Sequence, residues 1–415
     1  MMGGTGVVRR RAFVGLALVA ALVLAACGGG GQPAGGGSGG SSQGGSGQGG
    51  GGQPTPGVTD DTVVVGTFMP LSGPAAAWGE LAKGLRAYFE YVNEQGGVNG
   101  RKFKFIVEDD QYQPSRSVAA AKKLVEQDQV FAIVAPVGTS NLTAVRDYLK
   151  QHGVPVVAYM SGATKFSEPV DPLLFAGLMS YKREARLLVR YAVEELKITK
   201  LGVFYQNDDF GRDGLEGAKE AAAEVGAQIV AEVSYAPADV NVAGQALRLK
   251  EAGAEGVLIW STVKHAALLM QEAQKINYQP KWLASTVVAS PSLRELAGDA
   301  AEGAYFAAYA ATITDTDHPV VKEFLEVYPK YEKTPITPSN LSGWALARLF
   351  VEAVRRAGPD LTREGLIAAL ESMQDFQSLG PITYTKDDHS GYRQGFIRQL
   401  QGDRFVKVTD WISAE

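Results

Sequence analysis

The residues best placed to do chemistry in this 415-residue chain do not form the set a catalyst needs. The single cysteine, Cys27, excludes an intrachain disulfide and a cysteine-based zinc cluster. The four histidines, His152, His265, His318 and His389, include no pair at i, i+4, so no helical metal pair is present. What recurs is small and hydroxyl-bearing residues, with aromatic neighbours, just after short apolar runs. Val137-Gly138-Thr139-Ser140 follows one such run and Tyr159-Met160-Ser161-Gly162-Ala163 another. Trp78 stands after Ser72-Gly73-Pro74, Phe210 after Gln206-Asn207-Asp208-Asp209, and Thr286 after Ala284-Ser285. A glycine lets a ligand approach the backbone closely. Hydroxyls and free N–H groups at a helix start hold an anion. The chemistry on offer is hydrogen bonding between apolar walls, the profile of a binding cleft. Each motif also has a plainer reading: Ser72 and Thr139 as helix caps, Trp78 as core.

The elements that must position these residues alternate. Thr62–Gly66, Phe103–Glu108, Val130–Ala135 and Val154–Ala158 read as strands, separated by helices over Ala75–Asn93, Pro114–Asp128 and Thr139–His152. After a break near Gly177 the rhythm resumes. Helices over Arg183–Leu196, Arg212–Val225, Val240–Ala252 and Lys264–Ile276 alternate with strands over Lys200–Tyr205, Gln228–Tyr235, Gly256–Trp260, Trp282–Ala284 and Gly303–Ala307. Three helical stretches follow, Val320–Tyr331, Ser339–Ala357 and Thr362–Ser372. The chain then runs β-like through Ile382–Tyr384, Gln394–Gln401 and Phe405–Trp411. Two successive blocks of this kind predict an α/β fold of two Rossmann-like lobes with parallel sheets. Such sheets bind ligands beyond the carboxyl ends of their strands.

Composition agrees. Charged residues make up 20% and hydrophobic residues 45%, with a net charge of −5. No basic stripe stands out, which argues against a nucleic-acid partner. Asp209, Asp213, Gly214 and Glu220 match part of a calcium-loop spacing, but Gly211 lacks the side-chain oxygen needed and the segment reads as helix. Asp209 reads as a helix cap, and His265 as a solvated histidine at a helix start. No metal and no cofactor is implied. No Gly-x-Ser-x-Gly elbow stands at a strand end, so a hydrolase is not expected.

The amino-terminal segment reads as an address. Arg9, Arg10 and Arg11 precede an apolar stretch, Ala12–Ala26, too short to cross a hydrocarbon core of about 30 Å and suited to a signal peptide. Leu24-Ala25-Ala26-Cys27 resembles a bacterial lipobox, which implies lipidation at Cys27 after removal of residues 1–26. Arg10-Arg11-Ala12-Phe13-Val14 also bears a weak likeness to a twin-arginine signal. Residues 27–59 are rich in Gly and Ser and predict a disordered leash with a reach of roughly 30 Å.

Taken together, these motifs resemble leucine/isoleucine/valine-binding proteins. The likeness covers about residues 60–410. It runs through Leu71-Ser72-Gly73-Pro74 with Trp78-Gly79, Val92-Asn93-Glu94-Gln95-Gly96-Gly97, Asp109-Asp110, Gly138-Thr139-Ser140, Ser161-Gly162-Ala163 and Asp209-Phe210-Gly211. The resemblance implies a type I periplasmic binding protein: two lobes joined by a three-strand hinge, closing on a ligand. Lobe one would comprise residues 60–178 plus 309–379, and lobe two 179–308 plus 380–415. Crossings are expected near Gly177–Tyr181, Ala308–Ile313 and Gln377–Pro381. Gly138 and Thr139 would hold a ligand carboxylate. Ser161, Gly162 and Ala163 would face its amino end, and Trp78 and Phe210 would flank it. The resemblance further implies a monomer outside the cytoplasm, tethered to the membrane, that delivers a branched-chain amino acid or related small carboxylate to an ABC transporter permease. The alternatives are a ligand-binding component for a sensor, or a binder of aromatic or aliphatic acids. Two positions depart from the amino-acid binders. Ala163 stands where they carry a threonine, and Thr286 where they carry the glutamate that pairs with a ligand ammonium.

Overall fold

The structure, a computed structural model, describes residues 55–415. The expected signal segment, Cys27 and nearly all of the expected leash lie outside the described residues. Strand β1 (Thr62–Met69) is a β-branched, apolar run buried on both faces over its second half, as a central parallel strand requires. It pairs in parallel with β2 (Lys102–Asp109) and with β3 (Ala132–Val134). β4 (Val156–Tyr159) and β5 (Leu174–Ala176) complete a five-stranded sheet of order β2-β1-β3-β4-β5. Helices α1 (Leu81–Glu94), α2 (Pro114–Lys122) and α3 (Thr139–Gln151) make its crossovers. The helix expected from Ala75 begins as a 3₁₀ segment, Ala76–Glu80, and becomes α-helical only at Leu81. Strand β5 was not foreseen, because three residues are too short to display a period.

The second unit repeats the first. Helix α4 (Tyr181–Glu194) leads into β6 (Lys200–Gln206), α5 (Asp209–Val225), β7 (Gln228–Tyr235), α6 (Ala243–Glu251), β8 (Gly256–Trp260), α7 (Val263–Lys275), β9 (Lys281–Ala284), α8 (Pro291–Ala297) and β10 (Tyr305–Ala308). The parallel order β7-β6-β8-β9-β10 repeats that of the first sheet, five strands on. Both sheets therefore reverse direction between their first and third strands, where doubly wound folds bind ligands.

Helices α9 (Pro319–Tyr331), α10 (Pro338–Ala357) and α11 (Arg363–Glu371) return to the first sheet. The approach of α1 to α10 depends on two glycines. A Cβ on Gly84 would sit 1.9 Å from the Asn340 carbonyl oxygen, and one on Gly343 2.1 Å from that of Leu81. Arg363 ties α11 down through the carbonyls of Val130, Phe131 and His152. A small antiparallel sheet follows: β11 (Phe376–Gln377), β12 (Pro381–Thr385) and β13 (Asp388–Gly391). It packs on β5, with Tyr384 donating to the Ala176 carbonyl and His389 stacked on Phe175. Only then does the chain join the second sheet, as β14 (Gln394–Gln401) and β15 (Arg404–Lys407), both antiparallel; the short β16 (Ile412–Ser413) pairs with β14. The third passage between the units thus falls at Tyr392–Arg393. The expected crossing at Gln377–Pro381, and the boundary at residue 380, come too early because Tyr384 and His389 anchor the small sheet to the first unit.

Candidate functional site

At the reversal point of the first sheet, the loop after β1 is fixed by Asp109. Its carboxylate accepts from the Leu71 and Ser72 amides and, at 2.7 Å, from the Ser72 hydroxyl. Ser72 is therefore a loop anchor, and the 3₁₀ segment has no side-chain cap. Trp78 stands half-buried on that segment. Next to Asp109, Asp110 is fully buried. It accepts from Ser117 at 2.7 Å, Asn141 at 2.9 Å and the Tyr112 amide at 2.9 Å. Burial pushes its carboxyl above the ordinary range. Through Asn141 this carboxylate fixes the start of α3. Gly138 there has φ +107°, and a Cβ would lie 2.6 Å from Asn141 Oδ1 and 2.9 Å from the Tyr112 ring, so only glycine fits. No side chain caps α3, which leaves its first amides without intrahelical partners. The Thr139 hydroxyl shares a 2.7 Å hydrogen bond with Ser161.

At the reversal point of the second sheet, Asp208 caps α5, accepting from the amides of Phe210 at 3.1 Å and Gly211 at 3.3 Å. The expected cap, Asp209, is instead the first helical residue. Phe210 is buried with its ring centroid 5.0 Å from that of Tyr181. After β8, Thr262 caps α7. His265 is not the solvated residue expected. It is fully buried, bonded to Thr262 at 2.7 Å and to the Asp239 carbonyl at 2.9 Å, and stacked on Tyr235. Burial lowers its pKa and favours the neutral ring. After β9, Ser285 donates at 2.5 Å to Glu184, a fully buried α4 carboxylate that burial pushes up to about 8. The other oxygen of Glu184 has no partner.

Two adjoining hollows lie where these segments meet. The smaller, about 30 Å³, is lined by Trp78, Gly138 and Thr139 from one unit and Phe210 and Thr262 from the other, with Tyr112 and Tyr181. The larger, about 230 Å³, is lined by Trp78 and Thr286, by the passage at Tyr309–Thr314 and by one face of α10. Trp78, Met160, Leu178 and Val287 line both. Of the residues singled out in the sequence, Trp78, Gly138, Thr139 and Phe210 therefore come together, and Thr286 joins them at the larger hollow. Ser161, Gly162 and Ala163 line neither. Ser161 stands behind Thr139 and accepts from the Ala163 amide at 3.2 Å, while a Cβ on Gly162 would sit 2.3 Å from the Met179 carbonyl oxygen. Tyr112, Leu178 and Tyr181 were missed, although Tyr112 follows a strand end and the same rule would have found it; Met160 stood in the run from Tyr159 to Ala163 but was given no role.

Three carboxylates at the start of α5 reach across to the first unit. Ser140 donates to Asp208 at 3.2 Å. Thr143, at 3.2 Å, and Lys165, at 2.5 Å, donate to Asp209. The Thr164 amide and hydroxyl donate to Asp213 at 3.0 and 3.3 Å. Burial pushes Asp213 up to about 6. Asp209 is also partly desolvated, but Lys165 outweighs this and holds its carboxyl below the ordinary range. The calcium-like spacing is thus spent on contacts between the units, and Glu220 pairs with Lys182. Among the described residues no cluster of three or more His, Cys, Asp or Glu could hold a metal ion.

A sequence profile of the periplasmic binding proteins matches residues 62–404. The Leu/Ile/Val-binding protein homolog 3 of Brucella melitensis biotype 1 is 24% identical over 329 residues, covering 78% of this chain and 87% of the relative. A branched chain amino acid ABC transporter structure from Thermus thermophilus, with bound valine, superposes with a TM-score of 0.78 at 24% identity, covering 85% of this chain and 97% of that one. A fatty acid ABC transporter substrate-binding protein from Thermomonospora curvata does so with a TM-score of 0.78 at 26% identity, covering 87% and 95%. Two reversal points facing one cleft, and a profile match spanning nearly all the described residues, have one explanation: the chain belongs to the periplasmic binding protein family.

Proposed function

We propose that the chain is an extracytoplasmic solute-binding lipoprotein, anchored through Cys27, that captures a branched-chain amino acid or related small carboxylate and delivers it to an ABC importer. The observation that carries this reading is the convergence of Trp78, Gly138 and Thr139 with Phe210 and Thr262 on one hollow. The ligand carboxylate accepts hydrogen bonds from the α3 amides and the Thr139 hydroxyl, which the helix dipole strengthens. Trp78 and Phe210 cover its apolar part. Ligand held by both lobes favours the closed form, and the α5 carboxylates add contacts that exist only in that form. The importer reads the closed surface, and the leash lets a monomer find it in the same membrane.

Relatives named for Leu/Ile/Val binding support the amino-acid label. A second reading, an aliphatic or aromatic acid, is favoured by Thr286, which lines the larger hollow and supplies no charge for an ammonium. A thermal-shift screen of the full chain against amino acids and small acids tests the function. A ligand at 100 times its Kd adds about 2.7 kcal/mol of stability. If no member of the panel shifts the midpoint, the proposal fails.

A further inference from the structure

We infer that the larger hollow receives the apolar tail of an amine-free monocarboxylic acid, a tail bulkier than the side chains of valine or leucine. This rests on the solute-binding reading above and chooses among its ligands. The volume is the first observation. The α5 carboxylates already bridge the units through Ser140, Lys165 and Thr164, yet about 230 Å³ stays open beside the smaller hollow. A cavity of about 150 Å³ holds a benzene ring. A branched-chain side chain would leave much of this space empty, and unfilled apolar volume forfeits contacts on every wall.

The walls are the second observation. Leu178, Val287, Ala308, Leu341, Ala345 and Leu346 are among the apolar residues that line it. The charged residues among those lining it are Arg398 and Asp403. Arg398 is occupied by Asp315 at 2.7 Å and Thr312 at 2.8 Å. The Asp403 side chain is 92% exposed. Glu184 sits behind Ser285 and lines neither hollow, nor do Asp208 and Glu302. The solvent-exposed Asp403 is the one carboxylate among the lining residues, so a ligand ammonium drawn into the apolar part of the cleft would lose its water with no buried counter-charge, which is costly. A carboxylate in the smaller hollow, by contrast, meets the α3 amides and Thr139. The shared walls at Trp78, Met160, Leu178 and Val287 make the two spaces one path from head to tail.

The test is calorimetric titration of the full chain with leucine, with 4-methylpentanoate (the same skeleton without the amine), and with straight-chain acids from butanoate to octanoate. The expected result is that 4-methylpentanoate binds at least tenfold more tightly than leucine. Affinity then rises about fourfold per methylene until the hollow is full, the equivalent of about 0.8 kcal/mol each. Ser342→Phe, at a half-buried position on the α10 wall, should lose the long acids and keep butanoate. The wild-type series decides the matter even if that variant does not fold. Leucine binding as tightly as 4-methylpentanoate, or affinity that ignores tail length, overturns the inference and leaves the solute-binding function standing. No binding by any acid or amino acid overturns both.

Discussion

Among the described residues, Glu184 is a carboxyl that folding takes wholly out of water. It is fully enclosed, bonded to Ser285 on one side and unpartnered on the other, and its neighbour Thr286 lines the cleft. Burial raises its pKa from 4.5 to about 8. A carboxyl whose folded pKa lies above its unfolded value contributes stability in full below pH 4.5, and that contribution is lost as pH rises through the folded value. The melting midpoint should therefore fall between pH 5 and pH 8 in the wild type. Glu184→Gln, which keeps the shape and cannot ionise, should flatten that decline and melt higher than the wild type at pH 8. Melting curves at the two pH values check this. A variant as pH-sensitive as the wild type would mean Glu184 is already ionised at pH 5.

At the scale of elements, the firmest dependence is the α1–α10 contact. Gly343→Ala forces a methyl toward the Leu81 carbonyl oxygen, against backbone that has no free rotamer to yield. The expected loss is about 1–3 kcal/mol, read from urea unfolding. An unchanged midpoint would show that the two helices separate easily. The same contact marks the limit of what the sequence made legible. β7, β8 and β14 were read to the residue, because short apolar runs bounded by turns declare themselves locally. Gly138 and Thr139 were legible for the same reason: a glycine and a hydroxyl after an apolar run constrain the backbone wherever the chain goes. The α10 wall of the larger hollow was not, since Ala345 and Leu346 read as ordinary core until the chain returns to the first sheet. Ser161, Gly162 and Ala163 shared the local signature of Thr139, yet the packing of Gly162 against Met179 and Tyr181 turns them behind the cleft.

At the scale of the molecule, the hydrogen bonds that cross the cleft gather at the start of α5, and the proposed closure would be held there. Asp209 meets Thr143 and Lys165 across the gap, but both charged side chains are over a third exposed, so the pair is worth a fraction of a kcal/mol to about 1 kcal/mol. Asp209→Ala should accordingly speed ligand release about two- to fivefold in stopped-flow measurements. High salt should do the same to the wild type. Release rates that ignore both would remove α5 from the closing mechanism.

The central claim is that one ligand is held by both units at their reversal points. Calorimetric titration of the wild type, Thr139→Ala and Phe210→Ala with one acid tests it most directly, because the two side chains come from different units and line the same hollow. The account predicts one ligand per chain and at least tenfold weaker binding in each variant, from about 1.5 kcal/mol or more per lost contact. Binding that is weakened in only one variant, or in neither, would contradict it.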